Sequence, residues 1–204
     1  MPKIKNLLFD LGGVLLNIDY NKTADAFKKL GVKQFDQLYS QSGANPLFEE
    51  LETGKISEDN FYKTIQQYCQ PSTTKHQIET AWNAILLNFR IKSLEHLDKL
   101  KDKYNVYLLS NTNSIHLKAF DKIFEEETGQ PSLDDYFIKA YYSHKIHQRK
   151  PYPSTYQFVL LDAGIRAEET LFIDDSIINI EGAKQAGLEV HHLLSGQKIE
   201  DIIE

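Results

Sequence analysis

The sequence predicts an α/β protein: a Rossmann-like parallel sheet core with helices on both faces and an inserted helical cap. Short apolar runs that end at polar residues alternate with segments in which apolar residues recur every three or four positions. Such alternation is typical of parallel βαβ units. Residues 21–89 interrupt it, because they show helical patterns without a strong strand signal. This stretch predicts the inserted cap.

Five apolar runs are the predicted strands. The first, residues 4–9, ends at Asp10 and is followed by a glycine pair that breaks the run. Ligands in open parallel sheets bind outside the carboxyl ends of the strands, so the residues just after each run are site candidates. The other four runs cover residues 106–109, 138–142, 171–173 and 190–194.

The helices are predicted from apolar periodicity and from their end signals. Pro153 opens one of the core helices, and Gly187 closes the last one as a C-cap. In the insertion, Ser57 is a suitable N-cap. The predicted core helices cover residues 93–101, 114–124, 156–163 and 177–186, and the predicted cap helices cover 22–30, 58–69 and 78–87.

These elements predict two domains. The core consists of residues 1–16 and 90–204, and the helical cap consists of residues 17–89. The insertion leaves the core just after the first strand, at the edge where the candidate site residues gather. We therefore expect the cap to cover the site as a lid.

Composition and charge exclude several classes of function. The net charge of −6 and the pI of about 5.7 argue against a nucleic-acid partner, because phosphate backbones are bound through excess Lys and Arg. Cys69 is the single cysteine, which excludes an intrachain disulfide and fits a reducing compartment. No apolar run is long enough to span a membrane, and the N-terminus leads directly into a strand. We expect a cytoplasmic protein without a membrane partner.

Three aspartates follow predicted strands and should meet at one edge of the sheet. Asp10 follows the first strand, and Asp174 and Asp175 follow the fourth. Each could singly be a helix cap or a turn residue. Together they repel one another unless a cation lies among them, and an all-oxygen ligand set favours Mg²⁺.

Two further segments supply groups that could bind an anion. Ser110, Asn111 and Thr112 close the second predicted strand, where a hydroxyl and backbone N–H groups can cradle a phosphate. Lys150 lies in a loop before a predicted helix and could hold a phosphate and balance the charge of a nucleophile. Each segment alone also fits an ordinary helix cap or a solvated loop. Combined with the carboxylates, they predict phosphoryl transfer.

Four motifs carry a resemblance to a known family. In chain order they are Phe9-Asp10-Leu11-Gly12-Gly13-Val14-Leu15, Leu109-Ser110-Asn111-Thr112-Asn113, Arg149-Lys150-Pro151, and Phe172-Ile173-Asp174-Asp175-Ser176 with Asn179-Ile180-Glu181-Gly182-Ala183. This set resembles the haloacid dehalogenase-like hydrolase superfamily, and the insertion matches the position of the family's cap. Within the superfamily the chain is similar to bacterial sugar-phosphate phosphatases of the alpha-glucose-1-phosphate phosphatase type.

The resemblance implies a phosphatase acting on a small phosphomonoester, such as a sugar phosphate. Asp10 would attack phosphorus and form an aspartyl-phosphate, which water then hydrolyses. Ser110 and the backbone of Asn111 would hold the phosphoryl oxygens. Lys150 would bridge the phosphate and Asp10.

The resemblance also implies a Mg²⁺ cofactor. Its ligands would be Asp10, the backbone carbonyl of Gly12 and Asp175, with Asp174 beside them as a further ligand or as a support. Gly12 departs from the family pattern, because family phosphatases usually carry a second Asp there as general acid and base. Such a group accelerates proton transfer roughly 100- to 10,000-fold. Asp19 is a candidate replacement, although a helix-capping role fits it better.

The cap residues are harder to assign. Tyr20, Phe48, Glu49 and Trp82 could face the substrate, but aromatic residues at helical spacing are more often part of a hydrophobic core. Residues 52–57 are interpreted as a turn without ligand contacts. The histidines at positions 144, 147, 191 and 192 show no metal-binding spacing and are interpreted as loop and strand-end residues.

Three alternative functions stay open at this point. A metal-independent 2-haloacid dehalogenase also uses an Asp nucleophile, but it has no need for the Asp174–Asp175 pair. A catalytically weak or dead phosphometabolite-binding protein is compatible with Gly12, although the nucleophile and the lysine are retained. A mutase would be poorly equipped without an acid at residue 12. A monomer and a homodimer fit the sequence equally.

Overall fold

The computed structural model describes residues 3–33, 35, 39–40, 43–44 and 46–203. Its strands, in chain order, are β1 (Asn6–Phe9), β2 (Leu16–Ile18), β3 (Tyr39–Ser40), β4 (Gly43–Ala44), β5 (Leu86–Phe89), β6 (Asn105–Ser110), β7 (Lys139–Tyr142), β8 (Thr170–Asp174) and β9 (Glu189–His192). Five of them form one parallel sheet in the order β7-β6-β1-β8-β9. All five predicted core strands are confirmed, with shifted ends.

The helices, in chain order, are α1 (Tyr20–Lys29), α2 (Pro46–Glu52), α3 (Glu58–Gln66), α4 (Lys75–Asn83), α5 (Ile91–Leu100), α6 (Ser114–Thr128), α7 (Ser143–Ile146), α8 (Pro153–Ala163) and α9 (Ile177–Gln185). The four predicted core helices are confirmed as α5, α6, α8 and α9. Gly164 ends α8 in a left-handed conformation, as glycine allows. None of the helices among the described residues is both long and apolar enough to cross a membrane.

The central strands are buried on both faces, as their continuous apolar runs require. Leu7 and Phe9 of β1 lie in the cluster that also contains α5 and α6 residues such as Leu97 and Phe120. Leu8 of the same strand faces the opposite cluster, which includes Tyr156 and Ile180 of α8 and α9. The predicted parallel α/β fold with helices on both faces is therefore confirmed.

The strand register brings the ends of β1, β6 and β8 to one edge. Phe9 is paired with Leu108 of β6 and with Ile173 of β8. The backbone N–H of Asp10 then donates to the Ile173 carbonyl over 2.9 Å, which extends the pairing by one residue. The residues that leave these strands are therefore neighbours in space.

The insertion has its own hydrophobic cluster. Phe48 stacks on Trp82 with ring centroids 5.3 Å apart, and Phe61 packs against both rings. Phe48 and Trp82 are buried, so their expected role in the cap core is confirmed. Ile115 of α6 joins the same cluster and connects it to the core. The exact division into residues 1–16 with 90–204 and 17–89 stays a prediction.

One expectation for the insertion was wrong, and one of its helices was not predicted. The predicted helix over residues 78–87 ends at Asn83, and Leu86–Phe89 forms strand β5 instead. This strand pairs antiparallel with β2, Leu16 opposite Phe89. The apolar run from Leu86 onward fits a helix or a strand equally, and pairing with β2 decides the outcome. Helix α2 (Pro46–Glu52) was not predicted, and much of the segment before it lies outside the described residues.

Gly182 allows α9 to approach the loop that carries Lys150. A Cβ atom at this position would lie 2.0 Å from the carbonyl oxygen of Pro151. Only a residue without a side chain permits this contact, so a glycine in the interior of a helix is required here.

We expect Gly182→Ala to destabilise the protein. Helix propensity alone would favour alanine by about 1 kcal/mol, but the close contact should reverse the sign and lower the free energy of unfolding by about 1–3 kcal/mol. Thermal unfolding followed by circular dichroism measures the change. Gln185→Ala, at an exposed position of the same helix, is the control. An unchanged or raised melting temperature for Gly182→Ala would contradict this close packing.

Candidate active site

Three carboxylates meet at the sheet edge. Oxygen atoms of Asp10, Asp174 and Asp175 all lie within 4.8 Å of one another. Asp174 is completely buried, and Asp10 is 8% exposed. The structure thus brings together the aspartates that the sequence predicted to be neighbours.

Lys150 lies between two of these carboxylates. Its Nζ atom is 2.6 Å from Oδ1 of Asp10 and 2.7 Å from Oδ2 of Asp174. The side chain is 1% exposed and passes over the Phe172 ring, with Nζ 5.4 Å from the ring centroid. One buried cation therefore links the predicted nucleophile to the acidic pair.

The environment of the site raises the pKa of both Asp10 and Lys150. Burial raises the pKa of Asp10 to about 8; Lys150 opposes this increase, and the charges of Asp174 and Asp175 add to it. Burial lowers the pKa of Lys150, but its ion pairs with Asp10 and Asp174 outweigh burial and raise the pKa above its usual value. The three aspartates could together carry more negative charge than the single Lys150 ammonium can neutralise.

The side chain of Asp174 is held from several directions. The backbone N–H of Ser176 donates to Oδ1 over 2.8 Å, and Nδ2 of Asn179 lies 3.0–3.1 Å from the two oxygens. Together with Lys150, these donors fix the orientation of the Asp174 carboxylate. Tyr156 in turn donates to the carbonyl of Asn179 over 2.7 Å.

The two glycines after Asp10 differ in what they permit. Gly13 has φ of +75°, and a Cβ there would lie 2.2 Å from Oδ2 of Asp175, so this position requires glycine on both grounds. A Cβ on Gly12 would lie 3.1 Å from Cδ1 of Ile18, the end of a flexible side chain. Position 12 could therefore accept a side chain if Ile18 moved, whereas position 13 could not.

The segment after β6 supports the lysine. Nδ2 of Asn111 donates to the carbonyl of Lys150, and the Lys150 N–H donates to Oδ1 of Asn111, both over 2.9 Å. Ser110 is buried at the end of the strand. The sequence predicted a phosphate contact from the Asn111 backbone and gave no indication of this side-chain role, because it depends on the path of a loop 39 residues away.

Thr112 and Asn113 continue this segment with structural contacts. The N–H of Thr112 donates to Oγ of Ser143, and this hydroxyl donates back to the Thr112 carbonyl, each over 2.8 Å. Asn113 caps α6 by accepting from the backbone N–H groups of Ile115 and His116. The chain is therefore fixed directly after Ser110 and Asn111.

His192 is a supporting residue for which the sequence indicated only a place at the end of a strand. Its Nε2 atom lies 3.0 Å from the backbone carbonyl of Asp175. The register of β8 and β9 places His192 opposite Asp174. Strand register could have indicated this contact, but the sequence does not establish register. Its ring contacts the backbone beside the acidic pair.

Asp19 and Tyr20 connect strand β2 to helix α1 of the insertion. Asp19 accepts from the N–H of Asn21 over 2.9 Å and so caps α1, which is the interpretation that the sequence favoured. Burial raises the pKa of Tyr20, and the charges of Glu52 and Asp175 raise it further. The Tyr20 hydroxyl thus lies in the field of both the insertion and the acidic site.

Helix α2 and the turn after it form a wall beside the lysine loop. Nε of Arg149 is 3.0 Å from Oε2 of Glu52, and Nη1 of Arg149 is 3.8 Å from Oε2 of Glu49. Nδ1 of His147 lies 2.9 Å from the carbonyl of Thr53. The insertion therefore contacts the loop that carries Lys150 directly.

The residues at the acidic site fit a hard divalent cation. All donors are carboxylate oxygens, they converge within one coordination sphere, and one lysine does not neutralise them. A cation among them would remove the repulsion that raises the pKa of Asp10.

Comparison with known proteins decides the family. A family model described as haloacid dehalogenase-like hydrolase matches residues 4–187. The chain belongs to this family. The position of the acidic site, at the carboxyl ends of the central strands, is where parallel α/β folds bind ligands.

Several relatives of this family are similar over nearly the whole chain. D-ribitol-5-phosphate phosphatase from Bacteroides thetaiotaomicron is 37% identical over 187 residues, which cover 91% of this chain and 90% of that protein. A crystal structure of a variant HAD family enzyme from the same organism, in complex with magnesium and inorganic phosphate, is 36% identical with a TM-score of 0.91. This match covers 98% of this chain and 99% of that structure.

The L-2-haloacid dehalogenase from Xanthobacter autotrophicus is more distant. Its structure is 19% identical with a TM-score of 0.58, and the match covers 97% of this chain and 80% of that one. At this identity the similarity shows a shared fold only.

Proposed function

We propose that this hydrolase is a Mg²⁺-dependent phosphatase that cleaves a small polyol or sugar phosphomonoester through an aspartyl-phosphate on Asp10. The observation that carries the proposal is the Lys150 ammonium, which contacts Asp10 and Asp174 inside a buried cluster of three carboxylates. A lysine in this place can neutralise both a nucleophile and the phosphoryl group that it attacks. The similarity to a D-ribitol-5-phosphate phosphatase supports the substrate class.

The proposed metal ligands are Asp10, the backbone carbonyl of Gly12 and Asp175. Asp174 already accepts hydrogen bonds from Ser176, Asn179 and Lys150, which favours a supporting role beside the metal for this residue. Bound Mg²⁺ would supply positive charge for the phosphoryl oxygens. The magnesium and phosphate complex of the Bacteroides enzyme supports this choice of cation.

The proposed phosphate site consists of the Ser110 hydroxyl, the Asn111 backbone N–H and Lys150. Ser110 and Asn111 leave the end of β6, next to β1 and its nucleophile. The side chain of Asn111 fixes the Lys150 backbone through two hydrogen bonds. The same residue would thus contribute its backbone to the phosphate and its side chain to the lysine.

The chemistry has two displacements at phosphorus. A carboxylate oxygen of Asp10 forms a bond to phosphorus while the ester P–O bond breaks, and the leaving oxygen takes up a proton from solvent water, because Gly12 offers no acid. Water then attacks the same phosphorus and gives a proton to solvent, the bond between phosphorus and the Asp10 oxygen breaks, and inorganic phosphate and the Asp10 carboxylate are released. Lys150 stays beside Asp10 throughout and compensates the negative charge of the reacting oxygens.

The alternatives fit the observations less well. A metal-independent dehalogenase gives no reason for Asp174 and Asp175 beside an anionic substrate. A dead binding protein gives no reason for a buried lysine aligned on Asp10. The cytoplasmic location and the choice between monomer and homodimer stay predictions.

We expect Asp10→Asn to abolish phosphate release, because an amide cannot act as the nucleophile. The assay is release of inorganic phosphate from an aryl phosphate and from ribitol 5-phosphate, each with Mg²⁺ and with a chelator. Asp25→Asn, an exposed position on α1, is the matched control and should retain activity. Mg²⁺-dependent activity that survives in Asp10→Asn would contradict the assignment of the nucleophile.

The glycine at position 12 should make the rate depend strongly on the leaving group. Gly12→Asp introduces an acid that can protonate an alkoxide, and the space near Ile18 allows a side chain after a small shift. We expect kcat for an alkyl phosphate to rise roughly 100-fold, with a smaller gain for an aryl phosphate, whose leaving group needs no proton. Equal effects on both substrates would show that proton transfer does not limit the rate. The ratio of the two kcat values is the measurement.

A further inference from the structure

Glu52 and Arg149 form a buried ion pair beside the catalytic lysine. Glu52 is the last residue of α2 and is 5% exposed. Its Oε2 atom lies 3.0 Å from Nε of Arg149, the residue before Lys150. The pair therefore joins the insertion to the core directly next to the lysine that contacts Asp10.

The wall that holds this pair is anchored on both sides. The Tyr152 hydroxyl donates to Oε1 of Glu49 over 3.3 Å. A Cβ on Gly54 would lie 2.5 Å from the backbone carbonyl of His144, so the turn after α2 packs tightly on the core. These contacts fix Glu52 in position, as a specificity group requires.

The geometry of the pair leaves hydrogen-bonding capacity on the arginine. Nε of Arg149 is buried and makes no hydrogen bond among the described residues, because its N–H does not point along the short contact to Glu52. A buried donor without an acceptor is costly and is usually satisfied by water or a ligand. Here the unused donor lies next to a carboxylate, so the site offers a donor and an acceptor side by side.

A hydroxyl group matches this arrangement. Its oxygen accepts a hydrogen bond, and its proton is donated, so a single hydroxyl can accept from Nε of Arg149 and donate to the Glu52 carboxylate. A carboxylate can only accept, and it would place a second negative charge against Glu52. Arg149 directly precedes Lys150, whose Nζ atom lies 2.6 Å from Oδ1 of Asp10. The pair therefore lies beside the residues of the proposed phosphate site.

We propose that Arg149 and Glu52 bind a hydroxyl of the substrate's carbon chain and reject substrates that carry a carboxylate at that position. The inference rests on the proposed function and assigns the residues that would choose among phosphomonoesters. It also gives Glu52 a contact with the substrate, whereas the sequence was interpreted as a turn without ligand contacts over residues 52–57.

The charge of the wall supports rejection of a second anion. Arg149 contacts two carboxylates, Glu49 and Glu52, so this group of three side chains carries a net negative charge. Residues 46–54, which form the wall, contain three acidic residues and no Lys or Arg. Juxtaposed like charges cost several kcal/mol where water is excluded.

The test compares two substrates that differ only at one carbon. Ribitol 5-phosphate ends in a CH₂OH group, and 5-phosphoribonate carries a carboxylate in its place. We expect the parent enzyme to prefer ribitol 5-phosphate by roughly 100-fold or more in kcat/KM. Equal kcat/KM values for the two substrates in the parent would overturn the inference, with no variant needed.

The variant Glu52→Gln tests whether the Glu52–Arg149 pair causes this substrate preference. The amide removes the charge that repels a carboxylate, so the preference should fall at least tenfold, about 1.4 kcal/mol, through a lower kcat/KM for ribitol 5-phosphate and a higher one for 5-phosphoribonate. Glu50→Gln, an exposed glutamate in the same helix, is the charge-matched control and should keep the parental preference. The parental preference in Glu52→Gln would contradict the assignment to Glu52.

An aryl phosphate separates this inference from the proposed function. It has no hydroxyl chain, so Glu52→Gln should lose much less kcat/KM for the aryl phosphate than for ribitol 5-phosphate, and circular dichroism checks that the variant is folded. If the parent hydrolyses neither the aryl phosphate nor ribitol 5-phosphate with Mg²⁺, the proposed function fails. If the parent is active without discrimination, only the present inference fails.

Discussion

The contact of Lys150 with Asp10 and Asp174 is the interaction on which the rest of the site depends. A buried ammonium between two buried carboxylates is stable only in fixed geometry, and loss of one partner from such a pair costs about 3–5 kcal/mol. Much of the surrounding structure serves that geometry: Asn111 holds the Lys150 backbone, Asn179 holds Asp174, and Gly182 lets α9 approach the lysine loop. The excess of negative charge is what a divalent cation would neutralise.

Most of the fold could be predicted from the sequence, because its core follows local patterns. Apolar runs and periodic helices gave the five core strands and four core helices. The insertion was less predictable for two physical reasons. Leu86–Phe89 is a strand only because β2 lies beside it, and such pairing between distant segments has no local signal. Helix α2 has only seven residues, which are too few for a helical period to be distinguished from a strand in the sequence.

The candidate site was predictable where strand ends identify it. Ser110 and Asp174 end strands, and Asp10 and Asp175 follow them directly. Parallel topology alone brings such residues together. Lys150 lies in a loop, and its place beside Asp10 came from the family resemblance. Contacts that depend on loop paths, such as those of Asn111, His192 and the Glu52–Arg149 pair, leave no pattern in the sequence.

The stereochemical course at phosphorus tests the central claim, covalent transfer through Asp10, most directly. The substrate is an aryl phosphate made chiral with oxygen isotopes and sulfur, and the configuration of the released thiophosphate is measured in the presence of Mg²⁺. Two in-line displacements, first by Asp10 and then by water, predict overall retention. Inversion would mean that water attacks the substrate directly, and it would contradict an aspartyl-phosphate intermediate.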